Sequence, residues 1–383
     1  MAIQFERSWS DPDLDLYRDT VVRFIEEELA PGDEAARQSG NVGHAVWRRA
    51  GELGLLCADI PEAYGGGGGD FRHEAVVYEE MARRSLTGMN TSVHAIVAHY
   101  ILNHGTEAQK RRYLPRMARG ELVGAIAMTE PGTGSDLQAI RTRAERTPAG
   151  AFRIDGSKTF ITNGYLAGLV LVVCKTDPAQ RARGTSILIV ETATAQGFRV
   201  GRVLSKMGLK AQDTSELFFD GVEVPAENLL GGEEGQGFYQ LMGDLPYERL
   251  IIGVMAVAAM EGAYEATLQY VRERHVFGKP LLEQQNTRFR LAEIATQIVA
   301  GRAFIDQCVH KLLAGTLDTA TASMAKLWGS EAQGRVVDEC LQLFGGYGFM
   351  DEYPISRMYT DARVQRIYGG TSEIMKEVIS RAL

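Results

Sequence analysis

The spacing of apolar residues changes twice along this chain. Up to about residue 122 they recur every three or four positions, as on amphipathic helices. From Val123 they gather into short β-rich runs separated by turns, and after Gly231-Gly232 the helical spacing returns in longer stretches. Helices are expected over residues 13–29, 46–56, 74–82, 91–102 and 107–119, with Pro31-Gly32 ending the first. Strands are expected over 123–129, 140–146, 152–154, 169–175, 185–191, 198–204 and 216–224. Strands that follow one another without intervening helices point to a sandwich or barrel rather than a doubly wound parallel sheet. Long helices over 245–274, 284–313 and 319–344, then a short one over 372–381, point to an antiparallel bundle. At 383 residues the chain exceeds the roughly 250–300 at which single cores stop growing. The reading is therefore an α+β chain of three domains, at residues 1–122, 123–232 and 233–383.

The chemistry that is missing narrows the function. Acidic residues outnumber basic ones 49 to 41, and Lys110-Arg111-Arg112 is the longest basic cluster, so neither nucleic acid nor an anionic membrane is an expected partner. The run from Leu250 to Met260 is too short to span a bilayer and reads as a core helix. Cys57, Cys174, Cys308 and Cys340 stand far apart, which fits a reducing compartment without a disulfide framework or zinc site. The first residues carry acids and no apolar signal core, so a cytoplasmic location is expected. His94, His99 and His104 are five apart, about 140° between neighbours on a helix, so they cannot converge on a metal. Five consecutive glycines from Gly65 to Gly69 read as a flexible loop or as a close approach to a ligand. They lack the Gly-Lys-Ser/Thr ending of a phosphate loop.

Four motifs carry candidate chemistry, each with a plain structural alternative. Met128-Thr129-Glu130-Pro131-Gly132-Thr133-Gly134-Ser135-Asp136 is a strand entering a glycine-containing loop, either a simple turn or a rim of N–H groups for a flat ligand. Phe160 and Thr162, two apart, share a strand face that serves core packing or a planar cofactor. Gln342 to Gly348 ends a helix with glycines suited to a cap or to close ligand approach. Tyr368-Gly369-Gly370-Thr371-Ser372-Glu373 opens the last helix, with Thr371 or Ser372 as N-cap and free N–H groups for an oxygen-rich ligand.

Together, in this order and at these separations, the four motifs resemble the acyl-CoA dehydrogenase family over nearly the whole length. Arg274 to Pro280, Gln285 to Phe289 and Tyr353-Pro354 to Asp361-Ala362 add to the match. The resemblance implies an N-terminal helical domain, a central β domain and a C-terminal four-helix bundle, with bound FAD and a homotetramer. It implies that Ile126, Met128, Thr129, Gly134 and Ser135 hold the flavin ring, with Phe160, Ile161 and Thr162 on the side away from substrate. Arg274, Phe277, Gln285, Gln342, Gly345 and Gly346 match positions on the diphosphate and adenine, some reaching from a neighbouring subunit. Thr371, Ser372 and Glu373 match further FAD contacts. Ser135, Tyr239, Arg249 and Gly370 match the substrate side. Many members have Trp where this chain has Phe160, and an aromatic face is kept.

One position departs from much of the family. Many members carry the catalytic base as the Glu of Tyr-Glu-Gly-Thr, where this chain has Gly369. Leu245-Pro246-Tyr247-Glu248-Arg249-Leu250 resembles the corresponding segment of the long-chain and isovaleryl types, whose base lies on this helix. Glu248 is thereby implied as the base, and the backbone N–H of Gly369 as a donor to the thioester carbonyl. Taken by itself, Glu248 also suits the first turn of a helix with Asp244 as N-cap and Pro246 just inside. Burial would raise its pKa and a helix terminus would lower it, so the balance stays open. The implied reaction is α,β-dehydrogenation of an acyl-CoA, with electrons passed to an electron-transfer flavoprotein. A longer or branched acyl group is expected because Gly369 frees space beside the reacting carbons. An acyl-CoA oxidase and a non-catalytic flavoprotein are the alternatives.

Overall fold

Local signals start most of the helices in the computed structural model, which describes residues 3 and 5–383. Asp11 caps α1 (Pro12–Phe24) by accepting from the N–H groups of Asp13 and Leu14, and a wider turn carries the helix on through Ile25–Leu29. Two short helices follow, α2 (Asp33–Ser39) and α3 (Gly43–Glu52). Reciprocal capping boxes open α4 (Phe71–Arg83), from Asp70 and His73, and α6 (Glu107–Ala118), from Thr106 and Gln109. Between them Asn90 caps α5 (Thr91–His104).

The glycine run before α4 is neither a flexible loop nor a ligand cradle. Its N–H groups bond back onto the preceding turn: Gly67 to Cys57 O at 3.1 Å, Gly68 to Ile60 O at 2.9 Å and Gly69 to Ala58 O at 2.9 Å. A Cβ on Gly66 would lie 2.2 Å from Ile60 O, so the glycines let the chain lie against itself.

The middle of the chain forms one seven-stranded sheet that curls round its own core. Its strands are β1 (Gly124–Ala127), β2 (Arg143–Arg146), β3 (Phe152–Thr162), β4 (Leu169–Lys175), β5 (Thr185–Glu191), β6 (Phe198–Val203) and β7 (Thr214–Val224). β4 runs parallel to β1 and antiparallel to β5, while β2, β3, β7 and β6 form an antiparallel succession joined to β4 at Arg143 and Lys175. Every residue of β4 is buried, because its two faces meet different cores. Leu169, Leu171 and Val173 face the helical core, and Val170, Val172 and Cys174 face the interior of the sheet. That is why this strand reads as an unbroken apolar run rather than an alternation.

α7 (Gly237–Glu273) is long and apolar enough to cross a bilayer by length and composition, yet it lies buried inside the protein. It begins at Gly237 rather than near residue 245, so Asp244 is no N-cap and Pro246 lies in the interior of the helix. A tight hairpin of β8 (His275–Val276) and β9 (Lys279–Pro280) links it to α8 (Gln285–Leu313). α9 (Thr319–Phe344), α10 (Pro354–Ala362) and α11 (Ser372–Ser380) complete the chain. The helices before and after the sheet share one hydrophobic core, from Leu14, Phe24 and Trp47 through Leu250 and Val254 to Ile294 and Val336. α4 and α7 touch backbone to side: a Cβ on Gly262 would fall 1.9 Å from Arg83 O.

An ion network locks this shared core. Arg302 on α8, almost wholly buried, donates to Glu261 Oε1 from Nε at 2.9 Å and from Nη2 at 2.6 Å, and pairs with Glu79 on α4. Arg7 pairs with Glu79 and Arg83 with Glu261, while Asp306 accepts from Ser8 N and Trp9 Nε1. Arg302→Met leaves two fully buried glutamates relying on their outer arginines. Breaking one side of a buried pair costs about 3–5 kcal/mol. The chemical denaturation midpoint should therefore fall well below that of the native protein, and an unchanged midpoint would show that Arg7 and Arg83 suffice.

Candidate active site

Gln240, Asp244 and Glu248 are spaced four apart and form one polar stripe on α7. All three are buried, and each has a partner in the fold. Gln240 donates to Leu230 O at 3.2 Å. Asp244 accepts from Asn103 Nδ2 at 2.7 Å, and its other oxygen lies 2.7 Å from His104 Nε2. Glu248 Oε1 accepts from the Tyr100 hydroxyl at 2.8 Å. Tyr100, Asn103 and His104 share one face of α5, so the two helices meet along a polar seam inside apolar surroundings.

Burial pushes Glu248 up to about 7, and the charge of Asp244 adds to the rise, while the Tyr100 hydrogen bond and Arg249 work the other way. The helix terminus plays no part. Glu248 lies about three turns inside α7, and the dipole effect fades within the first turn. The structure thus resolves the balance left open by the sequence in favour of burial.

The glycine turn lies across α7 and α9. Gly369 sits at φ +62°, and a Cβ on it would meet Ile252 Cδ1 at 2.5 Å. Ile252 is one turn beyond Glu248, so the space left by the missing side chain is filled. Lys326, fully buried on α9, donates to Gly370 O at 2.6 Å. Burial lowers Lys326 to about 8, and the nearby Arg249 adds to this. Arg249 donates to Ser323 Oγ at 3.0 Å, one turn before Lys326.

A cavity opens beside this turn. It is lined by Tyr368, next to Gly369, by Met255 and Ala259 on α7, and by Met81, Met89 and Met358 from three other segments. Gln212 also lines it and donates to Thr162 Oγ1 at 3.3 Å, which joins the cavity to the end of β3. There Phe160 sits at φ +59° at an irregularity of the β3–β7 pairing, with its ring two-thirds exposed, while Ile161 points into the sheet core. Such a backbone conformation is rare for an aromatic residue and turns the ring out of the sheet. Next to it Lys158 Nζ, buried, bonds Glu130 Oε1 and Met128 O, both at 2.9 Å, and Thr159 N donates to Thr129 O at 3.0 Å. The 129–136 loop is thereby pinned, with open space at Gly132 and Gly134.

The remaining candidates divide. Thr371 caps α11 by accepting from Ile374 N at 3.3 Å, and the buried Ser372 hydroxyl donates to Glu331 at 2.7 Å. Tyr239 is half-exposed in the first turn of α7, about 13 Å along the axis from Glu248. Arg274 stands at the far end of the same helix, about 39 Å away. With it lie Phe277, 97% exposed at the hairpin tip, Gln285 opening α8, and Gln342, Gly345 and Gly346 ending α9. One chain therefore places Gly369 against the helix of Glu248 and Arg249 through Ile252, with Tyr368, Met255 and Ala259 leading on to the cavity, and holds a second group far off. Tyr100, Ile252 and Lys326 carry no sequence signal, whereas Asp244 reads from the sequence as an N-cap and His104 as a histidine outside any metal site.

Three family models cover the chain: the N-terminal domain of acyl-CoA dehydrogenase over residues 11–121, the middle domain over 125–222 and the C-terminal domain over 235–383. The chain belongs to the acyl-CoA dehydrogenase family. It is 49% identical over 372 residues to the long-chain specific acyl-CoA dehydrogenase, mitochondrial, of Rattus norvegicus, covering 96% of this chain and 86% of that protein. It is 34% identical over 371 residues to the isovaleryl-CoA dehydrogenase, mitochondrial, of Oryza sativa subsp. japonica, covering 96% and 90%. The crystal structure of acyl-CoA dehydrogenase from Geobacillus kaustophilus matches with a TM-score of 0.95 at 43% identity, over 98% of this chain and 99% of that one. The suspected membership, with its long-chain and isovaleryl relatives, is thus borne out, as is the acyl-CoA dehydrogenase fold of helical arms around a curled sheet.

A buried carboxyl raised from 4.5 to about 7 costs the fold about 3 kcal/mol at alkaline pH. Because the folded pKa lies above the unfolded one, the protonated form is favoured by folding, and that stability is lost as pH rises through 7. Glu248→Gln should raise the unfolding midpoint at pH 8, with the gain shrinking towards pH 4.5. An equal effect at both values would place the cost elsewhere than in the charge.

Proposed function

We propose that this enzyme removes two hydrogens from Cα and Cβ of a long-chain acyl-CoA, with Glu248 as the base and FAD as the cofactor. The observation that carries the reading is Glu248, buried, raised to about 7 and held by the Tyr100 hydroxyl, one turn before the isoleucine that meets the glycine turn. A base poised near the working pH is efficient at taking a proton.

The residues present fit the cofactor. Phe160 offers a turned-out ring, Gly132 and Gly134 leave space where backbone N–H groups meet a flat ligand, and Thr162 adds a hydroxyl. Bound FAD would supply the acceptor for the β-hydrogen as hydride. The other steps belong to the chain. Gly369 offers its N–H to the thioester carbonyl, and Lys326 holds the adjoining Gly370 so that the donor stays aimed as negative charge develops on oxygen. Glu248 then takes the α-proton. The distance between the two groups of cofactor candidates supports a homotetramer in which a neighbouring copy supplies the Arg274–Gln285 and Gln342–Gly346 surfaces. The acceptor beyond the cofactor is an electron-transfer flavoprotein.

The cavity supports a long chain. Met255 and Ala259 lie about 10 and 16 Å past Glu248 along α7. Four methionines in the lining, Met81, Met89, Met255 and Met358, adapt to an aliphatic chain.

Anaerobic titration of the purified protein with butyryl- to palmitoyl-CoA and isovaleryl-CoA, read by flavin absorbance, should show the fastest bleaching with long straight chains. Ala259→Phe should move that preference to shorter chains. Glu248→Gln should abolish bleaching while the flavin stays bound. Fastest bleaching by butyryl- or isovaleryl-CoA would overturn the chain length, and rapid reoxidation in air would replace the flavoprotein acceptor by oxygen.

A further inference from the structure

Glu248 is held by one hydrogen bond, and that bond comes from another helix. Tyr100 is wholly buried on α5, and its hydroxyl donates to Glu248 Oε1 at 2.8 Å. Oε2 has no hydrogen-bond partner among the described residues, so it is the oxygen left to take a proton. A glutamate on a helix has three side-chain torsions to settle, and the Tyr100 hydroxyl is its one polar anchor among the described residues.

We propose that Tyr100 is the positioning residue of the catalytic base, fixing Oε1 so that Oε2 faces the substrate. The inference rests on Glu248 being the base. A donor to a carboxylate favours its charged form, which counters the effect of burial. The other groups facing Glu248 are accounted for. On α7 itself Asp244 raises the pKa and Arg249 lowers it. From α5, Asn103 and His104 engage Asp244 rather than Glu248. From α9, Ser323 binds Arg249, and Lys326 is committed to Gly370. Tyr100 is therefore the only hydrogen-bond donor to the base among the described residues.

The test is the pH dependence of kcat/KM for a long-chain acyl-CoA in the flavin-loaded enzyme. Tyr100→Phe keeps the ring and removes only the hydroxyl. The acid limb, where Glu248 must lose its proton, should move up by about one pH unit, and kcat should fall more than KM rises. Replacement of Tyr100 by 3,5-difluorotyrosine, a stronger donor, should move the limb the opposite way. A merely structural tyrosine would change the unfolding midpoint and leave both limbs in place, and that result overturns the proposal. Glu248→Gln separates the two readings. If that variant is inactive and the limbs do not move, Tyr100 alone loses its role. If it turns over normally, the assignment of the base falls, and the role of Tyr100 with it.

Discussion

A carboxylate held out of water between two helices is the constraint on which this structure turns. Glu248 sits where the charged form is least welcome, and the surrounding architecture keeps it there. α5 and α7 are clamped by three polar contacts, two through Asp244 and one through Glu248, so the seam cannot slide without breaking all of them. Both seam carboxylates have a hydrogen-bond partner, as an interior of low dielectric favours, whereas Gln240 Oε1, Tyr247 OH and Arg249 Nε are buried without one. The strain of burying a base is carried by a core large enough to bear it, continuous from Leu14 near the start of the chain to Val336 on α9. Activity and stability are opposed at this residue, as at many functional sites.

The chain order follows from the same need. A helical core surrounds the base, but a flat cofactor needs an edge to lie against. The chain leaves the helical core after α6, builds the curled sheet and returns at α7. β4 serves both sides, since alternate residues belong to each core. Asn163 fastens the far end of β3 back to the helices by donating to Asn90 O and Gly124 O, both at 3.1 Å. Asn90 also caps α5, whose other end holds Tyr100. One helix therefore sets the position of the base and of the strand that carries Phe160 and Thr162.

Element types were legible in the sequence because apolar periodicity follows burial, and α9 begins and ends where its pattern does. The failures share a cause. α7 was read eight residues short because Gln240 and Asp244 look solvent-facing, although partners on other segments bury them. β3 was read as three residues because Asp155-Gly156-Ser157-Lys158 has little strand propensity. Pairing with β7 and the Lys158–Glu130 ion pair carry it on to Thr162. In the candidate site, Glu248 and Gly369 stood out by motif. Tyr100 and Lys326 act across 148 and 44 residues of chain, and no local pattern announces such contacts.

The proposed base on α7 agrees with the geometry at Gly369 and Ile252. A carboxylate side chain at Gly369 would need a left-handed backbone, unfavourable for any residue with a Cβ, and would have to displace Ile252. Glycine removes both costs and leaves the N–H untouched, because a backbone donor does not depend on the side chain it carries. The turn can thus keep its role towards the carbonyl while giving up proton transfer. On the proposed function that role passes to Glu248, one turn before Ile252, so the isoleucine that meets the glycine turn and the proposed base are neighbours on one helix face. Conversely, a base on α7 needs an anchor from outside its own helix, because its intrahelical neighbours Asp244 and Arg249 push its charge in opposite directions. α5 supplies that anchor, and the polar seam is the structural consequence.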